Sequence, residues 1–166
     1  MRTERYEFEG FGGSRLPAVL WLPDGAPKCV LQITHGMTEH MGRYARFGED
    51  LCQYGIAVAG FDLRGHGENA TDPTVASFGP GGWEASIADM RLFYEDLQRK
   101  MPGLPHYMLG FSLGSFLLRE YLSKYPSWNI SVAEDIISGK VYSYIVEIFE
   151  NLYKQISENA ELYPMN

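Results

Sequence analysis

One stretch limits what this chain can fold into more than any other. The pentapeptide Gly110-Phe111-Ser112-Leu113-Gly114 joins an apolar run, His106–Phe111, to a helical stretch running from Leu113 to about Tyr125. A chain that leaves a strand and enters a helix across Gly-x-Ser-x-Gly has to turn sharply. The flanking glycines are expected to allow that turn, leaving the serine in a strained backbone with its hydroxyl above the sheet. Such a unit needs a sheet behind the strand and room beside it for the helix. That requirement points to a layered α/β architecture.

Upstream segments supply the layers. Tyr6-Glu7-Phe8-Glu9 and Ala18-Val19-Leu20-Trp21-Leu22 read as β structure joined by a turn at Gly12-Gly13, and Pro23-Asp24-Gly25 closes the region. Cys29–Thr34 and Ile56–Phe61 are almost wholly apolar, as strands buried on both faces should be. Tyr44, Phe47, Leu51 and Tyr54 recur at helical spacing, and so do Ile87, Met90, Tyr94, Leu97 and Met101 before Pro102-Gly103. Strands alternating with helices predict a parallel sheet with helices on both faces, over residues 1–126. The texture changes at residue 127. Of 18 glycines only Gly139 lies beyond Gly114, and residues 127–166 hold six acidic and two basic side chains. Ser131–Glu134 reads as a capping box, followed by Ile137, Val141, Tyr144, Ile148, Leu152 and Ile156, so an acidic amphipathic helical tail is expected.

The formal charge of −7 argues against a nucleic-acid or anionic-membrane partner. No apolar run reaches membrane-spanning length, and Met1–Glu7 lacks the apolar core of a signal peptide. A cytoplasmic location is therefore expected, and the Asn129-Ile130-Ser131 sequon carries no weight. Cys29 and Cys52 show no metal-ligand spacing and read as buried small hydrophobes. No metal and no cofactor is expected.

A serine at such a turn can act as an acyl-transfer nucleophile if it has a base, an orienting acid and an oxyanion hole. The backbone N–H of Leu113, just after the serine, would be one donor. The other is expected in the loop after the first long buried strand, His35-Gly36-Met37-Thr38-Glu39-His40, where Gly36 allows close approach and the Met37 N–H would donate. With these come Gly42-Arg43-Tyr44, Phe61-Asp62-Leu63-Arg64-Gly65-His66-Gly67, and Gly81-Gly82-Trp83 opening a helix. In this order and spacing, residues 5–126 resemble the lysophospholipase and monoacylglycerol lipase branch of the α/β-hydrolases, grouped with the serine aminopeptidase-like hydrolases. The resemblance implies Ser112 as nucleophile, Met37 and Leu113 as the oxyanion hole, and His35, Gly36, Gly110 and Gly114 as supporting motif residues. It also implies a small lipid-like ester substrate. An aspartate in place of Ser112 would have indicated an epoxide hydrolase or dehalogenase. Phe111 stands where many relatives have histidine, and Glu68-Asn69 replaces a small residue.

What the resemblance leads one to expect after the serine is not found. All four histidines, His35, His40, His66 and His106, precede Ser112, and Asp135 is the only later aspartate. Complete relatives continue with further strands, a lid, a triad aspartate and a triad histidine, so the hydrolase pattern reads as C-terminally truncated. His35, His40 and His66 fall on loop motifs, where hydrogen bonding to backbone is expected. His106 reads as a surface or turn residue at a strand start, and Asp62, Arg64 and His66 as a loop-bracing charge cluster. Met37, Met41 and Tyr44 could line an acyl pocket or pack beneath the loop. Two readings follow: a serine hydrolase of carboxylic esters crippled by the missing base, or a degenerate hydrolase that binds without catalysis. In the second case the 106–111 strand would be an open sheet edge, suited to self-association unless the tail covers it.

Overall fold

The computed structural model describes residues 1–71 and 76–125. The expected tail, with Asp135, lies outside the described residues.

The chain opens with a hairpin of β1 (Arg2–Glu9) and β2 (Arg15–Leu22), in which Tyr6 pairs with Ala18 and Phe8 with Leu16. The reversal at Phe11–Gly13 places Gly12 at φ 69° and Gly13 at φ 77°, a left-handed backbone that glycine adopts without steric cost. β2 then pairs antiparallel with β4 (Ile56–Phe61), while β4, β3 (Cys29–Thr34) and β5 (His106–Gly110) run parallel in the order β1-β2-β4-β3-β5. The expected parallel sheet is formed by β4, β3 and β5, and the expected hairpin joins it antiparallel through β2. Parallel neighbours need a crossover connection of a dozen or more residues, and the two turns flanking β2 are too short to be one.

Helices cover both faces, as expected. α2 (Gly82–Lys100) and α3 (Leu113–Lys124) share one face, where Ile87, Met90, Phe93, Leu97, Leu117 and Tyr121 form a buried cluster with Ala18, Leu20, Ala57, Ala59 and Phe61. Phe8, Phe61 and Phe93 meet there at ring separations of 4.9–5.1 Å, within the range of favourable edge and tilted contacts. α1 (Ala45–Cys52) lies on the other face, pressed so close to Trp21 that a Cβ on Gly48 would sit 2.7 Å from the indole. Met41 packs on Gly60 in the same way, so it belongs to the packing beneath the loop. Cys29 and Cys52 are both buried and free, and burial pushes each thiol up to about 11. This follows because a desolvated thiolate is disfavoured.

β5 is the last strand of the described sheet and pairs with β3 alone, yet all its residues except Tyr107 are buried. His106 does not lie at the surface, as its position at a strand start suggested. It is 2% exposed, its Nε2–H donates to Gln32 Oε1 (3.1 Å), and its Nδ1 accepts from the Gln98 amide (3.2 Å). Gln32 in turn donates to the Met90 carbonyl at 3.3 Å. Buried polar groups need partners, and two glutamines from neighbouring elements supply them. The charge is not welcome in this setting, so desolvation lowers the His106 pKa to about 4.

Among the described residues no helix is long and apolar enough to cross a membrane.

Candidate active site

Ser112 stands between β5 and α3 with φ 48° and ψ −113°, a backbone that ordinary side chains rarely adopt. Three hydrogen bonds hold the turn. Phe111 N–H donates to Thr34 O (3.0 Å), Gly114 N–H to Phe111 O (2.8 Å) and Ser115 N–H to Ser112 O (2.9 Å). The Ser115 hydroxyl adds a bond to Ser112 O at 2.7 Å. Neither Gly110 nor Gly114 has a positive φ, so they do not supply the sharp turn expected of them. Ser112 bears the strain itself, and the glycines are required for close approach. A Cβ on Gly110 would lie 2.5 Å from Gly114 O, and one on Gly114 only 2.0 Å from Thr34 O. No backbone atom can give way that far cheaply.

The loop after β3 is brought to the same place. A Cβ on Gly36 would be 3.3 Å from Ser112 Cβ and 3.2 Å from the Phe111 ring, so Gly36 seats directly against the serine. The Gly36 N–H donates to Glu39 Oε2 (2.9 Å), which also accepts from the Tyr44 hydroxyl (2.9 Å), while Arg43 pairs with Glu39 Oε1 at 3.0 Å. Burial and the Glu39 charge both raise the Tyr44 pKa, which keeps the phenol a donor. The Glu39 clamp escaped the sequence reading. Its signal was the three-residue offset from Gly36, the spacing at which a glutamate can return to a backbone N–H. Met37 follows with its side chain 57% exposed, and Leu113, the first residue of α3, is half-buried. Neither their N–H groups nor Ser112 Oγ has a hydrogen-bond partner among the described residues. The helix N-terminus at Leu113 adds partial positive charge where an anion would form.

The histidines have other work. Leu63 N–H donates to His35 Nε2 (2.9 Å), so the ring proton sits on Nδ1 and bonds Gly36 O (2.8 Å). Both nitrogens are thereby committed, and burial lowers the pKa of this fully buried ring. His66 lies at a ring distance of 5.4 Å from His35, with Nδ1 bonded to Arg64 O (2.8 Å) and Nε2 buried without a partner. His40 is exposed and covers Gly42 and Gly67, beside a groove of about 380 Å³ that Arg5, Asp62 and Glu68 also line. That groove lies beside β1 and β2, whose residues 5–7 and 17–19 line it, and β2 is three strands from β5 in the sheet. The expected cluster of Asp62, Arg64 and His66 is not an ion pair. Asp62 accepts from the Met41 N–H (2.7 Å) and the Glu68 N–H (2.8 Å). Arg64 instead pairs with Asp89 of α2 at 2.5 Å and reaches Ser14 Oγ and Phe11 O, tying the hairpin turn to the helix. The sequence reading missed Asp89 because its partner lies 25 residues away. No group of residues able to hold a metal ion occurs among the described residues.

Comparison with known proteins assigns the fold to a family. The monoacylglycerol lipase of Mycolicibacterium smegmatis is 31% identical over 128 residues, which make up 73% of this chain and 42% of that protein. Human monoglyceride lipase is 32% identical over 94 residues, 57% of this chain and 30% of its own length. The chain thus spans less than half the length of these relatives. Among solved structures, a carboxyl esterase from Bacillus coagulans matches 93% of this chain and 51% of its own, with a TM-score of 0.72 and 25% identity. A sequence profile described as serine aminopeptidase, S33, matches residues 25–157, most of the chain, which therefore belongs to that family of α/β-hydrolases.

Proposed function

We propose that this chain carries the nucleophile half of a serine hydrolase acting on carboxylic esters of the monoacylglycerol or lysophospholipid type. The observation that carries the reading is the backbone of Ser112, strained at φ 48° and ψ −113° with Gly36 packed against its Cβ. The substrate class rests on similarity to the monoacylglycerol and monoglyceride lipases. Ser112 Oγ attacks the acyl carbon and the carbonyl electrons move to oxygen. The N–H groups of Met37 and Leu113 stabilise that oxyanion by about 3–4 kcal/mol per donor. The alcohol then leaves with a proton, and water releases the acid from the acyl-enzyme.

The step that lacks an agent is removal of the Ser112 proton. His35 and His106 have both nitrogens committed, His40 stands at the end of another strand, and His66 has its one unbonded nitrogen buried. Loss of a triad member costs about 10⁴–10⁶ in turnover, so the 166-residue chain by itself is a poor esterase. The same histidine commitments favour a second reading, a non-catalytic ligand-binding module built on the hydrolase fold. A fluorophosphonate probe separates the two. Labelling that disappears in Ser112→Ala supports the hydrolase reading, whereas a folded sample that does not label supports the binding module. Turnover at the level of full-length relatives would refute the crippled-site reading.

A further inference from the structure

Among the described residues only two non-glycine positions adopt a positive φ, Ser112 at 48° and Thr38 at 57°. Both are at the C-terminal edge of the sheet, and they are linked through Gly36, which touches Ser112 and opens the turn that contains Thr38. A β-branched residue is the least suited to a left-handed backbone, because its branched Cβ crowds the neighbouring carbonyl. Glycine would adopt this φ without strain. The loop does not need a side chain at Thr38 to hold its shape, since Glu39 closes the turn on Gly36 N–H and His35 Nδ1–H holds Gly36 O. The Thr38 side chain is exposed and takes part in no hydrogen bond among the described residues. Backbone strain kept for a side chain that does nothing within the fold indicates a use outside it.

We propose that Thr38 is a specificity residue, whose hydroxyl hydrogen-bonds the polyol part of a glycerol-ester substrate beside Ser112. This rests on the ester-hydrolase reading above. The hydroxyl is one residue from the proposed oxyanion donor Met37, on the side of the loop that faces solvent. An ester bound with its carbonyl at Met37 and Leu113 carries its free glycerol hydroxyls within a few bonds of that carbonyl. An uncharged donor-acceptor such as threonine suits a polyol, which also both donates and accepts.

The test measures binding, which needs no general base. Two probes are titrated by calorimetry below their aggregation limit, a dodecyl glycerol ether and dodecyl ethyl ether, against wild type, Thr38→Val and Thr38→Gly. Valine keeps the shape and removes the hydroxyl, so affinity for the glycerol ether is expected to fall about five- to tenfold, with affinity for the ethyl ether unchanged. Glycine is expected to raise Tm by about 2–4 °C through relief of strain, while losing the same glycerol-ether preference. Equal loss on both probes in Thr38→Val, or no loss on either, overturns the Thr38 assignment and leaves the hydrolase reading standing. A lower Tm in Thr38→Gly overturns the strain premise and the proposal with it. Failure of wild type to bind the glycerol ether refutes the glycerol-ester reading and the proposal together.

Discussion

Acid should destabilise this fold through His106, and a single substitution should remove the effect. The imidazole is 2% exposed, hydrogen-bonded as the neutral tautomer to Gln32 and Gln98, and its pKa is lowered to about 4 by desolvation. In the unfolded chain the same group titrates near 6.5. Because the folded pKa is the lower one, the unfolded state takes up the proton first, and stability that is complete above about pH 6.5 drains away as the pH falls toward 4. Linkage between those two values gives a loss of roughly 2.5 kcal/mol by about pH 4.5 and about 3 kcal/mol by pH 4. For a domain of this size the pH 4.5 loss amounts to a Tm drop of about 5–10 °C. In His106→Gln the amide can still donate to Gln32 and accept from Gln98, and nothing titrates at this position. The variant should be less stable at pH 7.5 for reasons of packing, with a shallower decline on acidification. Buried His35, lowered in the same direction, is present in both proteins and cancels in the comparison. Thermal melts of the two proteins between pH 7.5 and 4.5 provide the measurement. If the difference in Tm between wild type and His106→Gln stays constant across that range, the burial argument is wrong.

Asp89→Ala leaves Arg64 inside the hairpin turn without its counter-ion, at side-chain exposures of 12% and 0% for the pair. A loss of about 3–5 kcal/mol in urea denaturation is expected, against about 0–1 kcal/mol for the exposed pair of Arg5 and Glu68, whose disruption serves as the control. Gly114→Ala places a methyl 2.0 Å from Thr34 O and must push the start of α3 away from β3. It should cost about 1–3 kcal/mol or more and diminish fluorophosphonate labelling, and an unchanged melting curve would disprove the close-approach argument.

Legibility differed by kind of interaction. Period and punctuation gave the elements almost residue for residue: Ile87, Met90 and Leu97 face the core from α2, and Gly81-Gly82 opens that helix with φ 82° and 51°. Local chemistry also read well, since the strand–turn–helix around Ser112 is specified within a few residues. Pairings between distant residues did not read. Gln32 with His106 spans 74 positions and Arg64 with Asp89 spans 25, and no local pattern marks either partner. His106 was assigned to the surface because a polar residue at a strand start usually is, and the glutamines that draw it inside come from β3 and α2. Strand directions were legible, since the alternation of strands and helices that marks the parallel part begins only after the hairpin.

The glycines at the serine show most directly how a motif can be right for the wrong physical reason. Glycine is expected at 110 and 114 for conformational freedom, yet neither has a positive φ, and the strained backbone is at Ser112, as expected. What Gly110 and Gly114 provide is the absence of a Cβ, which allows α3 to begin within contact of the β3–Gly36 loop. That proximity brings Gly36 against Ser112 and the start of α3. The oxyanion half of the proposed chemistry draws on Met37 and Leu113, the residues next to that contact in sequence. The proton-transfer half is different: His35 and His106 are bonded on both ring nitrogens, His40 is set at another strand end, and His66 is bonded on Nδ1 with its Nε2 buried without a partner. Freeing His35 by mutation would remove its bond to Gly36 O in the loop that packs on Ser112. Supplying a histidine base to Ser112 from outside this packed region is therefore the change expected to raise turnover without loss of the fold.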